Sequence, residues 1–242
     1  MANNSPKTVR LNKDLNLVES DRWKFKYDPT NKTSDAWTGC NLKCMQCTHI
    51  KNNGHRCANR TCYTLPYCWY HLKSVLKLRI GPTVMKDKKT NRRYDFLGLF
   101  ACDMKAKPGK IPEIVFKRGQ PIAPYIGEQL TEQELNQRYP DNETSIYGYK
   151  KQENLYIDSA CVRSVASFAN ACLRSSNKNC QVNARLSPGS TNNYPMLVAT
   201  KNIKHGSEIF VSYGASYFSK SSIHRPFKTT PAGRFRRINY KC

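Results

Sequence analysis

Glu208-Ile-Phe-Val-Ser-Tyr213-Gly214 decides the fold of this chain. It reads as an apolar strand that ends on a phenol and then on a residue free to turn. Two stretches upstream complete it, in chain order: Phe96-Leu97-Gly98-Leu99-Phe100-Ala101 and Ser167-Phe168-Ala169-Asn170. A glycine inside an apolar run marks a place where something approaches the backbone closely. An asparagine supplies a donor and an acceptor in one side chain. Glycine, asparagine and strand-end tyrosine describe a site better than they describe a core.

The 242 residues suffice for one substantial domain and a small module. A hydrophobic content of 39% with 11% aromatics can build a core. Forty Lys and Arg against seventeen Asp and Glu give a formal charge of +23, a field that favours nucleic acid or nucleoprotein as a neighbour. The opening Met1-Ala-Asn-Asn-Ser-Pro-Lys7 has no apolar core of a signal peptide, and no run approaches a membrane span. The expectation is therefore a protein of the nucleus or cytoplasm, not secreted and not membrane-bound, with its eleven cysteines reduced.

Six of those cysteines crowd between residues 40 and 68. In a reducing compartment such a cluster reads as metal ligands before disulfides. Cys68-x-x-His71 has the spacing of two ligands reaching one Zn²⁺ across a tight turn. The other half is open between Cys47 with Cys57 and Cys44 with Cys47. Cys40, Cys44 and Cys62 remain as additional ligands for a second ion. The zinc is structural, because no glutamate in the cluster is placed to activate a water.

The organisation predicted is a polar arm over 1–38, the Cys/His module over 39–75, a domain of short strands over 80–218 and a basic tail over 219–242. Leu72 to Leu78 has helical spacing and is expected to continue the module as a helix until Gly81-Pro82 breaks it. Strands are predicted around 97–102, 114–116, 122–126, 155–157, 196–199 and 208–213. Thr131 and Glu134 have capping-box spacing, so a short helix follows Thr131. Residues 164–173 have the pattern of a second helix. Many short strands and few helices make the chain mainly β.

Order and spacing of the three opening stretches resemble the SET-domain protein lysine methyltransferases. That resemblance implies small curved sheets with a pseudoknot of the C-terminal strand, which periodicity alone would not suggest. It implies S-adenosylmethionine as methyl donor and a protein lysine, in particular a histone lysine, as acceptor. Tyr213 matches the family's catalytic tyrosine, and Tyr125 of Tyr125-Ile-Gly127-Glu128 a second tyrosine of the lysine channel. Phe96, Leu97, Gly98, Leu99 and Phe100 match the cofactor turn. Phe168, Asn170 and Ala171, with Tyr213, match the grip on the adenosyl group, and Asn183-Ala184 a later element of it. Tyr217 and Phe218 fall where an aromatic closes the channel. Phe96 stands where the family has glycine, and Ala171 where it has histidine. The Cys47, Cys57, Cys68, His71 pattern is similar to small modules of large-virus and protist proteins, which would put a viral protein in the host nucleus or replication compartment. The competing reading is a non-enzymatic, zinc-bearing nucleic-acid or chromatin binder with an inactive SET-like domain. No Gly-x-Gly-x-x-Gly or Gly-x-Ser-x-Gly pattern points elsewhere.

Overall fold

The computed structural model describes residues 45–61, 65–91, 93–94, 97–106, 113–138, 145, 147–160, 162–172, 180–188 and 194–213. The arm, Gly214, Tyr217, Phe218 and the basic tail lie outside the described residues, as do Phe96, Cys40, Cys44 and Cys62.

The Cys/His module opens as a knuckle of two antiparallel bridges, Gln46 to Arg60 and Ile50 to Arg56. Gly54, at φ +78°, turns its tip. Helix α1, Trp69–Leu76, starts one residue after Cys68. It does not run on to Gly81-Pro82 as the spacing predicted. Lys77 takes the left-handed conformation, φ 56°, and its N–H caps the carbonyls of Leu72 and Lys73. The chain then leaves as strand β1, Leu78–Pro82, antiparallel to β2, Leu97–Ala101, with Gly81 opposite Gly98.

Strands β3 (Ile114–Phe116), β4 (Pro121–Pro124) and β5 (Glu128–Leu130) lead to helix α2, Glu132–Arg138. The capping box before α2 is reciprocal. Thr131 N–H donates to Glu134 Oε2 at 2.8 Å, and Glu134 N–H donates to Thr131 Oγ1 at 3.2 Å. Strands β6 (Gly148–Gln152) and β7 (Leu155–Asp158) follow, with β5 and β6 on the two edges of β7. The apolar central strand was legible in sequence. Its polar edges, Glu128-Gln-Leu and Gly148-Tyr-Lys-Lys-Gln, were not, because ladder hydrogen bonds rather than side chains hold them.

The predicted second helix is a single 3₁₀ turn, Val165–Phe168, after which Asn170–Ala171 forms strand β8. Strand β9 (Ala184–Ser187) pairs with β10 (Met196–Ala199), which pairs with β4; β11 (Ile203–Lys204) pairs with β3. Strand β12, Phe210–Val211, is shorter than predicted and lies parallel to β8, with Phe210 opposite Asn170 and Val211 opposite Ala171. This parallel pairing is the part of the C-terminal strand's expected crossing that falls on described residues.

One core joins both regions. Leu65, Trp69 and Leu72 of the module pack in the same buried cluster as Leu78, Ile80, Leu99, Ile157, Leu197 and Ile209. The expectation of reduced cysteines throughout is corrected at one place. Cys172 and Cys180, eight residues apart, form a disulfide, because β8 and the approach to β9 bring their Cα atoms to 5.5 Å.

Candidate functional site

The knuckle and α1 deliver four ligands to one point. The thiols of Cys47, Cys57 and Cys68 and a ring nitrogen of His71 all lie within 4.8 Å of one another, and all four residues are buried. Cys68 Sγ is 3.3 Å and Cys47 Sγ 3.4 Å from His71 Nδ1. Ligands in a zinc tetrahedron stand roughly 3.3–3.8 Å apart, so the cluster fits that ion. Among the described residues Cys57 stands with Cys47, Cys68 and His71, while the alternative Cys44 lies outside the described residues. The surroundings are arranged around the ligands. Cys68 N–H donates to Cys47 Sγ at 3.4 Å, and the Asn59 amide donates to Cys68 Sγ at 3.7 Å. Arg56 ties the strand carrying Cys47 by donating to the Cys47 and Gln46 carbonyls, both at 2.9 Å. The His49 ring stacks on His71 at 3.8 Å. Burial pushes the Cys47 thiol pKa up. Burial, then the charges of His49 and Lys51, pushes His71 down, toward the neutral ring a metal requires.

The second constellation is built where β8, β12 and β2 meet. The Phe210–Asn170 pairing sets Asn170 beside β2, and the Asn170 amide donates to Leu97 O at 2.9 Å. Tyr213, two residues beyond β12, reaches back so that its hydroxyl donates to Ala169 O at 2.8 Å. Leu97, Gly98, Asn170, Ala171 and Tyr213 are therefore connected through β2, β8 and β12. Leu97, Asn170 and Tyr213 are partly exposed, and their chain neighbours Leu99, Phe100, Phe168 and Ala171 are buried. Asn183 locks the end of the same strand. Its amide donates to Glu208 O, and its Oδ1 accepts from Phe210 N–H, both at 2.9 Å.

Glu208 was not singled out in the sequence, and it organises this place. Its carboxylate is buried at 4% exposure. It accepts from Thr83 Oγ1 at 2.9 and 3.0 Å, from Val84 N–H at 2.6 Å and from Asn170 Nδ2 at 3.1 Å. Burial nonetheless raises its pKa, against those hydrogen bonds and the Arg79 charge. The reason for Gly98 is also refined. A Cβ there would collide with the Glu208 carboxylate, so the glycine makes room for that side chain. A signal did exist: one acid, Glu208, stands alone in the chain after Asp158.

Tyr125 lies in a separate aromatic group. It is buried, its hydroxyl donates to Tyr147 O at 2.7 Å, and its ring stands 6.3 Å from that of Tyr149. The buried guanidinium of Arg163 lies 4.2 Å over the Tyr147 ring and 5.7 Å from the Phe168 ring. Phe168 thus borders both groups, facing Arg163 and Tyr147 on one side and leading through Ala169 to Tyr213 on the other.

Among the described residues no helix is long and apolar enough to cross a membrane. No curated protein matches the chain. Among solved structures, the chain is similar to the Chaetomium thermophilum polycomb repressive complex 2, at 20% identity and TM-score 0.38, over 57% of this chain and 15% of that one. A structure of that complex in an autoinhibited conformation bound to S-adenosylmethionine gives 21% identity and TM-score 0.39 over the same shares. An active polycomb repressive complex 2 in the stimulated state gives 20%, 0.38 and the same shares. The chain therefore spans about a seventh of the length of these structures. Nothing in these likenesses supports the large-virus or protist type. The mainly β fold of small sheets includes a segment, residues 114–214, that matches the family model of the SET domain.

Proposed function

We propose that the chain is an S-adenosylmethionine-dependent protein lysine N-methyltransferase with one structural zinc in its Cys/His module. One observation carries the reading: within the SET-matched segment, parallel pairing of β12 with β8 joins Tyr213 and Asn170 to Leu97-Gly98. The partly exposed Leu97, Asn170 and Tyr213 leave polar atoms within reach of a cofactor with a polar edge. Leu97, Gly98, Asn170 and Ala171 would hold it, Asn170 with its Oδ1 as acceptor and Ala171 with its backbone. When bound, S-adenosylmethionine supplies a methyl group on a positive sulfur.

The chain's own part is to present the acceptor. A lysine near pH 7.4 is about 3 units from neutral, a cost of roughly 4 kcal/mol that desolvation offsets in part. Tyr125, Tyr147, Tyr149 and Phe168 are the rings available to wall that passage. The Tyr213 hydroxyl, its proton held by Ala169 O, turns its oxygen lone pairs outward, toward developing positive charge on the amine. Positioning in line with the sulfur–methyl bond supplies most of the rate. Tyr217 and Phe218 would close the passage.

The +23 charge supports a nucleosome or other nucleic acid as neighbour and the nucleus as the place of work; the SET-domain match supports a protein lysine, a histone's foremost, as acceptor. Labelled S-adenosylmethionine with histones and nucleosomes tests this. Wild type should label lysine, and Tyr213→Phe should lose at least about a hundredfold in turnover with an unchanged melting curve. Wild-type labelling by the variant removes Tyr213 from the chemistry. No labelling and no cofactor binding by wild type selects the non-enzymatic binder instead.

A further inference from the structure

We propose that the Cys/His module is a contact for single-stranded nucleic acid, with Tyr70 as a stacking platform and Lys51, Lys73 and Lys77 holding the phosphates around it. The charge is the first observation. Residues 36–86 hold eight of the chain's forty Lys and Arg and none of its seventeen Asp and Glu. A zinc bound by three thiolates and one neutral imidazole would leave the centre with a single net negative charge. The cations at 51, 56, 60, 73 and 77 outweigh it, so the module stays electropositive when loaded.

A basic surface alone fits any solvated face. The exposed apolar side chains narrow the choice. Tyr70 is 53% exposed although it is flanked by buried Trp69 and buried His71, and Ile50 on the knuckle is 55% exposed. Helix α1 turns Trp69 and Leu72 into the common core and Tyr70 outward. Lys73, one turn on from Tyr70, shares its side of the helix, and the exposed Lys77 caps the helix end. Tyr70 is also braced: its ring meets His71 edge-on at 5.1 Å, and His71 in turn carries the His49 ring, two residues before Lys51. An exposed, braced ring near cations, in a stretch of sequence without Asp or Glu, matches an unpaired base with its phosphates, since every base has a face that stacks. A duplex would offer the phosphates but no open base. An acidic protein would meet the cations but need not present a flat face to the ring.

The test uses the zinc-loaded full chain and fluorescein-labelled 20-nucleotide strands of mixed sequence, as RNA and as DNA, each also as a duplex, read by anisotropy. Tyr70→Ala should weaken single-strand binding about tenfold, and Tyr70→Phe should retain it. Lys51→Gln with Lys73→Gln should flatten the slope of log affinity against log salt by about 1.4. Zinc content by native mass spectrometry should stay at the wild-type level in each variant. Tighter binding of duplex than of single strand by wild type, an unchanged affinity of zinc-loaded Tyr70→Ala, or an unchanged salt slope in the double lysine variant each overturns the proposal. Whether RNA or DNA binds more tightly identifies the source of the strand. These residues stand apart from Tyr213 and Asn170, so methyl transfer to a free peptide reports separately on the catalytic reading.

Discussion

The knuckle at 45–61 and the strands between 97 and 211 hold together by different means. Around the knuckle, among the described residues, the buried cluster is the candidate ligands Cys47, Cys57 and Cys68, with Tyr67 packed against it. The strands bury Leu99, Ile157, Leu197, Ile203 and Ile209 at no more than 1% exposure. An apolar core strengthens with every methylene it covers, about 25 cal/mol per Å². A knuckle whose order came from one ion held by four convergent side chains would lose it with that ion. The same contrast separates their polar groups. The three thiols converge with His71 as a set that could hold a metal, whereas the Glu208 carboxylate is satisfied inside the fold by Thr83, Val84 and Asn170.

Removing the metal breaks the comparison at its weaker side, with the largest effect. Zinc binding in such modules is worth on the order of 10 kcal/mol of folding free energy. Chelation, or Cys68→Ser, should abolish hydrogen-exchange protection at the knuckle, for instance at Cys47 and Cys57 N–H, which bond Asn59 O and His49 O. Strands β9 and β10 should keep theirs. Helix α1 should fall between, because Trp69 and Leu72 belong to the shared core. Full protection of residues 45–61 after zinc loss would mean that the two regions are held in the same way.

A methyl group added to each region sharpens the contrast. Gly98→Ala drives a Cβ into the Glu208 carboxylate and should cost about 1–3 kcal/mol by overpacking, read as a lower melting temperature. It should also weaken S-adenosylmethionine, since Asn170 bonds the same carboxylate. Gly54→Ala in the knuckle meets nothing within 4 Å, and only its φ of +78° resists the change. Its cost should be about 1 kcal/mol, without effect on the cofactor. Equal penalties, or a silent Gly98→Ala, would show that the carboxylate can move aside.

Legibility in the sequence followed the same division. Candidate ligands are visible as letters: Cys47, Cys57, Cys68 and His71 could be named, and the knuckle with α1 brings these four together. Apolar strands such as Leu97–Ala101 and Met196–Ala199 were readable because burial writes itself as hydrophobic runs. The capping box at Thr131 was readable because its chemistry is local. Pairing partners were not. The parallel contact of Phe210 with Asn170 spans forty residues and leaves no periodicity. The Cys172–Cys180 disulfide was hidden for the same reason, since only the fold brings its ends together. Glu208 looked like a polar start to a strand. Its burial follows from Gly98, 110 positions earlier, and from Thr83 and Val84, which lie on the turn after β1.

The smallest expected effect tests whether that carboxylate is strained by burial. Its pKa is raised in the folded chain, so folding favours the protonated form. The sign follows from linkage: the stability it contributes is complete below the ordinary glutamate pKa and is lost as pH rises through the higher folded value. Exposed Asp87 works in the opposite direction. Hydrogen bonds from Thr90 hold its pKa down, so its contribution is present at neutral pH and lost as pH falls. The two overlap in a melting profile of the wild type. Glu208→Gln separates them, because glutamine keeps an oxygen for Val84 N–H and a donor for Thr83 but has no proton to lose, while Asp87 is untouched. Melting temperatures of both proteins across about pH 4 to 8 should diverge as pH rises, the wild type losing stability relative to Glu208→Gln. The apo protein is the one to measure, since a bound cofactor would add its own pH dependence. Parallel curves would mean that Thr83, Val84, Asn170 and the Arg79 charge compensate the buried carboxylate fully. The region around Gly98 would then be as relaxed as the core beneath it.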